Sequence, residues 1–201
     1  MKILRKILIV LVVLVAVLAI VGMFMPSKVR VARSMEMKAA PAAVYNQVAD
    51  LKMWDNWMPW NKMDPAMVKT YGEKSMGEGA SYSWESTNSN VGKGSITITK
   101  AVPNEMVETS LSFDGEGNAI GGYQMEKTDN GTRVTWSLDM DMGGNPFKRL
   151  MGSMMDMMMG SVFDQGLHAL DSASSAMPVL EPAAVMDSTA MAPIDSVAVA
   201  K

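Results

Sequence analysis

A chain of 201 residues with a net charge of −3 and no cysteine has room for one membrane segment and one domain with a real core. It lacks the basic surplus of a nucleic-acid binder and the thiols needed for disulfides, thiolate metal sites or cysteine nucleophiles. One histidine, His168, leaves no His-rich metal site, and the 23 methionines supply either adaptable apolar surface or a lineage's substitute for leucine.

Residues 1–6 form a short basic tail with Lys2, Arg5 and Lys6, and the run from Ile7 to Met25 carries no charge. Its length matches the ~20 residues needed to cross a bilayer. It ends in Met23, Phe24, Met25 and Pro26, a poor context for signal cleavage. An uncleaved anchor over 7–25, with the membrane as partner, is therefore expected. Lys28, Arg30 and Arg33 beyond the run nearly balance the charges before it. The shortness of the tail tips the expected orientation towards a domain on the extracytoplasmic side.

From Val29 the period becomes two. Val29, Val31, Met35 and Met37 share one face and polar residues the other, as in a half-buried strand. Arg33 falls on the apolar face, where it either snorkels to solvent or points a cation into a cavity for an anionic head group. Pro41 opens a short helix with Val44, Tyr45 and Val48 inward. A second short helix is expected over 51–60. Its Trp54, Trp57 and Trp60 either wedge the helices onto the sheet end or wall a pocket.

Strands are expected at 67–71, 80–85, 94–100, 106–113, 118–127 and 134–142, separated by turn residues. Asp129-Asn130-Gly131 contains the strongest short hairpin signal. Tight turns imply antiparallel pairing, and clean alternation implies one covered face. The cover is a helix expected from Asn145 to about Met177, with Asn145 as N-cap and Pro146 in the first turn. Phe147, Leu150, Met151, Met154, Met155, Met158, Met159, Val162, Phe163, Leu167 and Leu170 recur along it at three and four. At 1.5 Å per residue it would run about 45 Å. Gly152 and Gly160 within it, and Gly121-Gly122 within a strand, serve either an open interior or close packing. Residues 178–201 lack period, aromatics and caps and read as a disordered tail.

The opening VARSMEMKAAPAAVYNQVADLKMWDNWMPW, the following NKMDP, the strand entry GEGASYSW, GTRVTWSLDMD and the pair NPFKRLMG and FDQGLHAL resemble the START-like, or SRPBCC, superfamily in its polyketide cyclase/dehydrase-like branch. The likeness extends to bacterial members with an N-terminal membrane anchor and covers residues 29–177. It implies an α+β helix-grip fold, with a curved antiparallel sheet of about six to seven strands wrapped around a long C-terminal helix. It also implies a cavity between sheet and helix, whose mouth the anchor would keep near a bilayer. Inward candidates are then Tyr82 and Trp84, Tyr123 and Met125, and Trp136 and Leu138, facing Met154, Met155 and Met158, with Arg33 as the cation.

Such a pocket suits a hydrophobic small molecule: a lipid, an isoprenoid or a polyketide-like compound. A cyclase/dehydrase-like enzyme is the first alternative, although neither a Ser-His-Asp set nor paired carboxylates on a buried face can be read. A structural or chaperone-like interaction module without ligand is the second. A thioether Cu(I) site on Met151, Met154, Met155, Met158 and Met159 is disfavoured, since packing on a sheet demands the same positions. No cofactor and no metal are expected. Across this superfamily the fold does not license an activity.

Overall fold

The computed structural model describes residues 2–114 and 117–176. The expected tail at 178–201 lies outside the described residues. Helix α1 (Lys2–Phe24) is long and apolar enough to cross a membrane. A continuous helix satisfies its backbone polar groups internally, as any lipid-crossing segment must.

A seven-stranded antiparallel sheet follows: β1 (Lys28–Met37), β2 (Val68–Tyr71), β3 (Ser81–Glu85), β4 (Lys93–Val102), β5 (Met106–Phe113), β6 (Gly117–Thr128) and β7 (Gly131–Asp141). Its order is β1-β7-β6-β5-β4-β3-β2, so the first strand pairs with the last. The register from Lys28↔Asp141 to Met37↔Thr132 puts Val31, Met37, Val134, Trp136 and Leu138 on the core side. A bulge between Ile98 and Lys100 of β4 leaves Thr99 unpaired, and an extra residue of this kind bends its strand.

The hairpin at Asp129-Asn130-Gly131 forms, but its loop is Asp129-Asn130, because Thr128 pairs with Gly131. Gly131 is required for another reason. Its φ is +147°, and a Cβ there would stand 2.1 Å from the Met37 carbonyl oxygen.

Between β1 and β2 lies α2 (Pro41–Ala49), and the single second helix expected over 51–60 is instead a 3-10 turn (Met53–Asn56) and a short α3 (Pro59–Met63). Pro59 cannot donate to a preceding turn, so it begins a helix rather than continuing one. The Trp54 indole donates to the Val48 carbonyl at 2.9 Å and the Trp57 indole to that of Gln47 at 3.1 Å. Both rings are buried, so the tryptophans tie these turns to α2 while filling the space over the sheet.

The C-terminal helix is two pieces, α4 (Pro146–Ser153) and α5 (Met155–Ser175), rather than one. Asn145 caps α4 as expected, accepting from the amides of Phe147 and Lys148. The break follows Gly152-Ser153, where the Ser153 hydroxyl donates back to the Leu150 carbonyl at 2.7 Å. The Met154 amide takes the tighter i−3 bond to Met151. Gly/Ser pairs and hydroxyl back-bonds are recognised causes of such bends.

Helix α5 then runs beside β1 in the same direction. Gly152 lies at Val29, Gly160 at Arg33, and the Asp171 carboxylate accepts from the Lys38 amide at 3.3 Å. The two rises agree, at roughly 30 Å each, from 1.5 Å per helical residue and about 3.3 Å per strand residue.

Trp57 is fully buried and stands edge-on to both Tyr123 and Trp136 at 5.9 Å. Trp57→Ala is expected to lower unfolding stability by about 3–5 kcal/mol, read from urea melts. A loss below about 1 kcal/mol would show that the turns fold onto the sheet without it.

Candidate ligand-binding site

Alternation places Tyr82, Tyr123, Met125, Trp136 and Leu138 on the covered face, and all five are buried in the core. Their rings form a continuous contact path. Trp54 meets Tyr82 at 6.4 Å and Tyr123 at 5.8 Å. Tyr123 stacks on Trp136 at 5.4 Å, and Trp136 stacks on Phe163 of α5 at 4.1 Å and 8°. Burial pushes the Tyr82 and Tyr123 hydroxyls well above the ordinary phenol range, so both stay protonated and able to donate at neutral pH.

The helix side differs from expectation. Met155 packs against the core, but Met154 and Met158 are exposed and do not face the sheet. Glycine takes the close positions instead. A Cβ at Gly160 would stand 2.0 Å from an Arg33 guanidinium nitrogen, and one at Gly166 would stand 2.5 Å from Cζ3 of Trp136. The glycines therefore serve close approach. In the sheet, Gly121 likewise leaves room for the Thr109 hydroxyl, 2.5 Å from where its Cβ would be.

Arg33 lies on the helix side of β1 but is occupied. It donates to both carboxylate oxygens of Asp156, at 2.7 and 3.1 Å, and its Nε is 3.8 Å from Asp164. Those bonds hold the Asp156 carboxyl below its usual range. Arg33 is thus a clamp between strand and helix rather than a free cation. Trp84, half-buried, sits far along the sheet opposite Gly94. Its indole donates to the Val91 carbonyl at 3.2 Å, and it touches Phe113 rather than α5.

An open groove of about 640 Å³ runs between α2, the 3-10 turn, α3 and the C-terminal half of α5. Met53, Ala169 and Ala173 supply apolar walls, and Gln47, Asn56 and Lys62 polar ones. Gln47 is only 3% exposed. Its Nε2 donates to the Ala173 carbonyl at 3.4 Å, while its Oε1 has no partner among the described residues. Sequence reasoning passed over Gln47. A signal was present, since it stands three after Val44 and next to Val48, a polar residue on the inner stripe of α2.

A second groove of about 390 Å³ lies at Asp55, Asn61, Asp64, Met67, Lys69 and Tyr71. It is the more polar of the two and contains the Lys69–Asp55 pair. Among the described residues, no three His, Asp or Glu side chains converge as metal ligands would.

Residues 28–174 match the family model described as "Polyketide cyclase / dehydrase and lipid transport". A sequence comparison with curated proteins finds no match. Solved structures share the fold at low identity. Protein SA2116 of Staphylococcus aureus is similar at a TM-score of 0.53 and 15% identity, over 74% of this chain and 96% of its own. Protein CV1439 of Chromobacterium violaceum is similar at 0.50 and 18%, over 73% and 96% respectively. DynU16, from the dynemicin biosynthetic locus, is similar at 0.50 and 18%, over 75% of this chain and 48% of its own.

Two outcomes are expected from the strand–helix contact. Gly→Ala in a helix ordinarily stabilises by up to ~1 kcal/mol. At Gly166 the sign reverses, because the new methyl would stand 2.5 Å from the buried, stacked Trp136 ring, and a lowered urea midpoint checks this. The Asp156 carboxyl, depressed in the folded state, adds stability above the ordinary carboxylate pKa of about 3.9, and that stability is lost as pH falls through the lower folded value. The difference in urea midpoint between the wild type and Asp156→Asn should therefore shrink below about pH 4. A gap that persists unchanged in acid would rule out the charged pair as its source.

Proposed function

This chain belongs to the polyketide cyclase/dehydrase and lipid transport family, and from that premise we propose that it is a membrane-tethered domain that binds or carries a hydrophobic small molecule. The ligand class is a lipid, an isoprenoid or a polyketide-like compound. In this reading α1 spans the bilayer. Lys2, Arg5 and Lys6 remain on the cytoplasmic side and the folded domain stands on the extracytoplasmic side.

The observation that carries the proposal is the groove along the C-terminal half of α5. Its volume of about 640 Å³ falls in the range of small-molecule sites, and its lining divides between Met53, Ala169, Ala173 and Ala176 and the polar Gln47, Asn56, Lys62 and Ser172. The buried Gln47 oxygen, without a partner among the described residues, is the polar group that carries weight, since an unsatisfied buried acceptor costs free energy that a ligand donor would relieve. The rings of Trp54, Tyr123 and Trp136, with Tyr82, Met125 and Leu138, belong to the packed core beneath α2 and the 3-10 turn and do not line the groove.

Trp84 and Arg33 have other partners and stand outside this site. The groove lies roughly 25 Å along α5 from its first residue, Met155, which follows the contact of Gly152 with the start of β1. Its mouth is thus at the end of the domain away from α1, so the ligand would be exchanged on the aqueous side rather than at the bilayer surface.

Native mass spectrometry of the full chain, released from lipid nanodiscs in the instrument, is expected to show a stoichiometric adduct that survives removal of the lipid around α1. Ala173→Trp fills the groove and should abolish the adduct while leaving the melting temperature close to wild type. A bare chain mass from the wild-type protein, under conditions that retain other non-covalent adducts, would overturn the carrier reading.

A further inference from the structure

The start of the C-terminal helix pair carries two apolar faces where one was expected. One is the inward face, where Gly152 and Gly160 meet Val29 and Arg33 of β1 and Phe163 stacks on Trp136. The other consists of Phe147, Met151, Met154 and Met158, which fall at i, i+4, i+7 and i+11. At 3.6 residues per turn Met158 points roughly half a turn away from Gly160 in α5, and Phe147 and Met151 lie about a third of a turn from Gly152 in α4. The stripe is exposed along its length, at 47% for Phe147, 61% for Met151, 50% for Met154 and 58% for Met158, with Met157 at 79% beside it. Single exposed hydrophobes need no explanation, but a contiguous set does. A helix apolar on both sides is either buried in protein or in contact with lipid.

The position of α4 decides between those two. Its first turn rests on the end of α1, where a Cβ at Gly22 would stand 2.2 Å from the Pro146 carbonyl oxygen. Arg149 donates to the Met23 carbonyl at 3.2 Å and to the Gly143 carbonyl at 2.7 Å, placing a cation at the C-terminal end of the α1 dipole. The apolar run Ile7–Met25 amounts to about 29 Å of helix, close to the ~30 Å hydrocarbon thickness. Gly22 lies about 5 Å short of the end of that run. Contact with it holds the start of α4 at the depth where interfacial helices sit, about 5–10 Å into the headgroup boundary. Exposed Lys28 and Lys148 lie at the same end, where ammonium groups meet lipid phosphates.

We propose that the Phe147–Met158 face is a membrane-docking surface, seated in the interface of the leaflet from which α1 emerges and holding the domain in one orientation on it. The inference rests on α1 crossing the bilayer. The unbranched thioether side chains suit this position, because they conform to disordered acyl chains better than β-branched residues do. Met157, Met158 and the break at Met154 then belong to the docking face, and the aqueous side keeps the groove.

The chain has no cysteine, so single introduced cysteines carry an environment-sensitive dye without background. The full chain is reconstituted in phosphatidylethanolamine/phosphatidylglycerol vesicles with dye at Met151→Cys, Met158→Cys, Val13→Cys in α1, or Ser83→Cys on the outer sheet face. Emission at Met151→Cys and Met158→Cys is expected to shift to the blue and to be quenched by lipids bearing nitroxide near the headgroup. Val13→Cys should be quenched by deep nitroxides, and Ser83→Cys should stay aqueous.

Quenching at Val13→Cys with aqueous emission at both methionine sites would overturn the docking surface while leaving the anchor intact. Absence of quenching at all sites would overturn both. Blue-shifted emission at the methionine sites without nitroxide quenching, accompanied by energy transfer between labelled chains, would assign the face to a second copy of the chain and reject lipid.

Discussion

The close approach of α5 to β1 is the contact on which the rest depends. The helix pair and the strand run side by side because Gly152 of α4 and Gly160 of α5 present no side chains where Val29 and Arg33 project. Arg33 crosses the gap left at Gly160 and grips Asp156. An exposed pair of this kind adds little by itself and is weakened by salt. Its consequence is geometric: it fixes the rotation of α5 about its own axis. Once the glycine face is turned inward, Phe163 must stack on Trp136, and the methionines opposite must point out.

That rotation separates the domain into two ends with different chemistry. At the end beside α1, apolar side chains are left without a cover among the described residues. At the other end α5 runs over α2 and the small turns, where alanines rather than large residues line the contact. Small residues leave a groove, and the tryptophan indoles bonded to α2 carbonyls keep its opposite wall in place. Membership of a family that spans cyclases, dehydrases and lipid transport is compatible with many ligands. The groove on this chain is lined by Met53 and the alanines of α5 together with Gln47, Asn56, Lys62 and Ser172.

Much of the architecture was legible in the chain itself. Period-two alternation marked the strands, turn residues marked their antiparallel order, and the uncharged run marked α1. Asn145-Pro146 marked the start of α4. These features are local: they arise from backbone geometry and from which side of one element is apolar. The inward positions of Tyr82, Tyr123, Met125, Trp136 and Leu138 follow from the same rule, because a strand has only two faces and one of them was polar.

The tertiary structure decided what local pattern left degenerate. A helix with both a glycine–aromatic stripe and a methionine stripe offers two candidate inner faces. Ranking by hydrophobicity selects the methionines, whereas the depth of approach to β1 selects the glycines. Steric fit prevailed, since a Cβ at position 166 would stand 2.5 Å from the buried Trp136 ring. The partners of Arg33, the seat of Trp84 over Gly94 and the burial of Gln47 against Ala173 likewise depend on residues distant in sequence. The sequence alone therefore determined which elements form and which faces of the strands are apolar. Only packing between distant segments determined which face of the C-terminal helix is the inside, because that choice is made by the partner it meets and not by the helix itself.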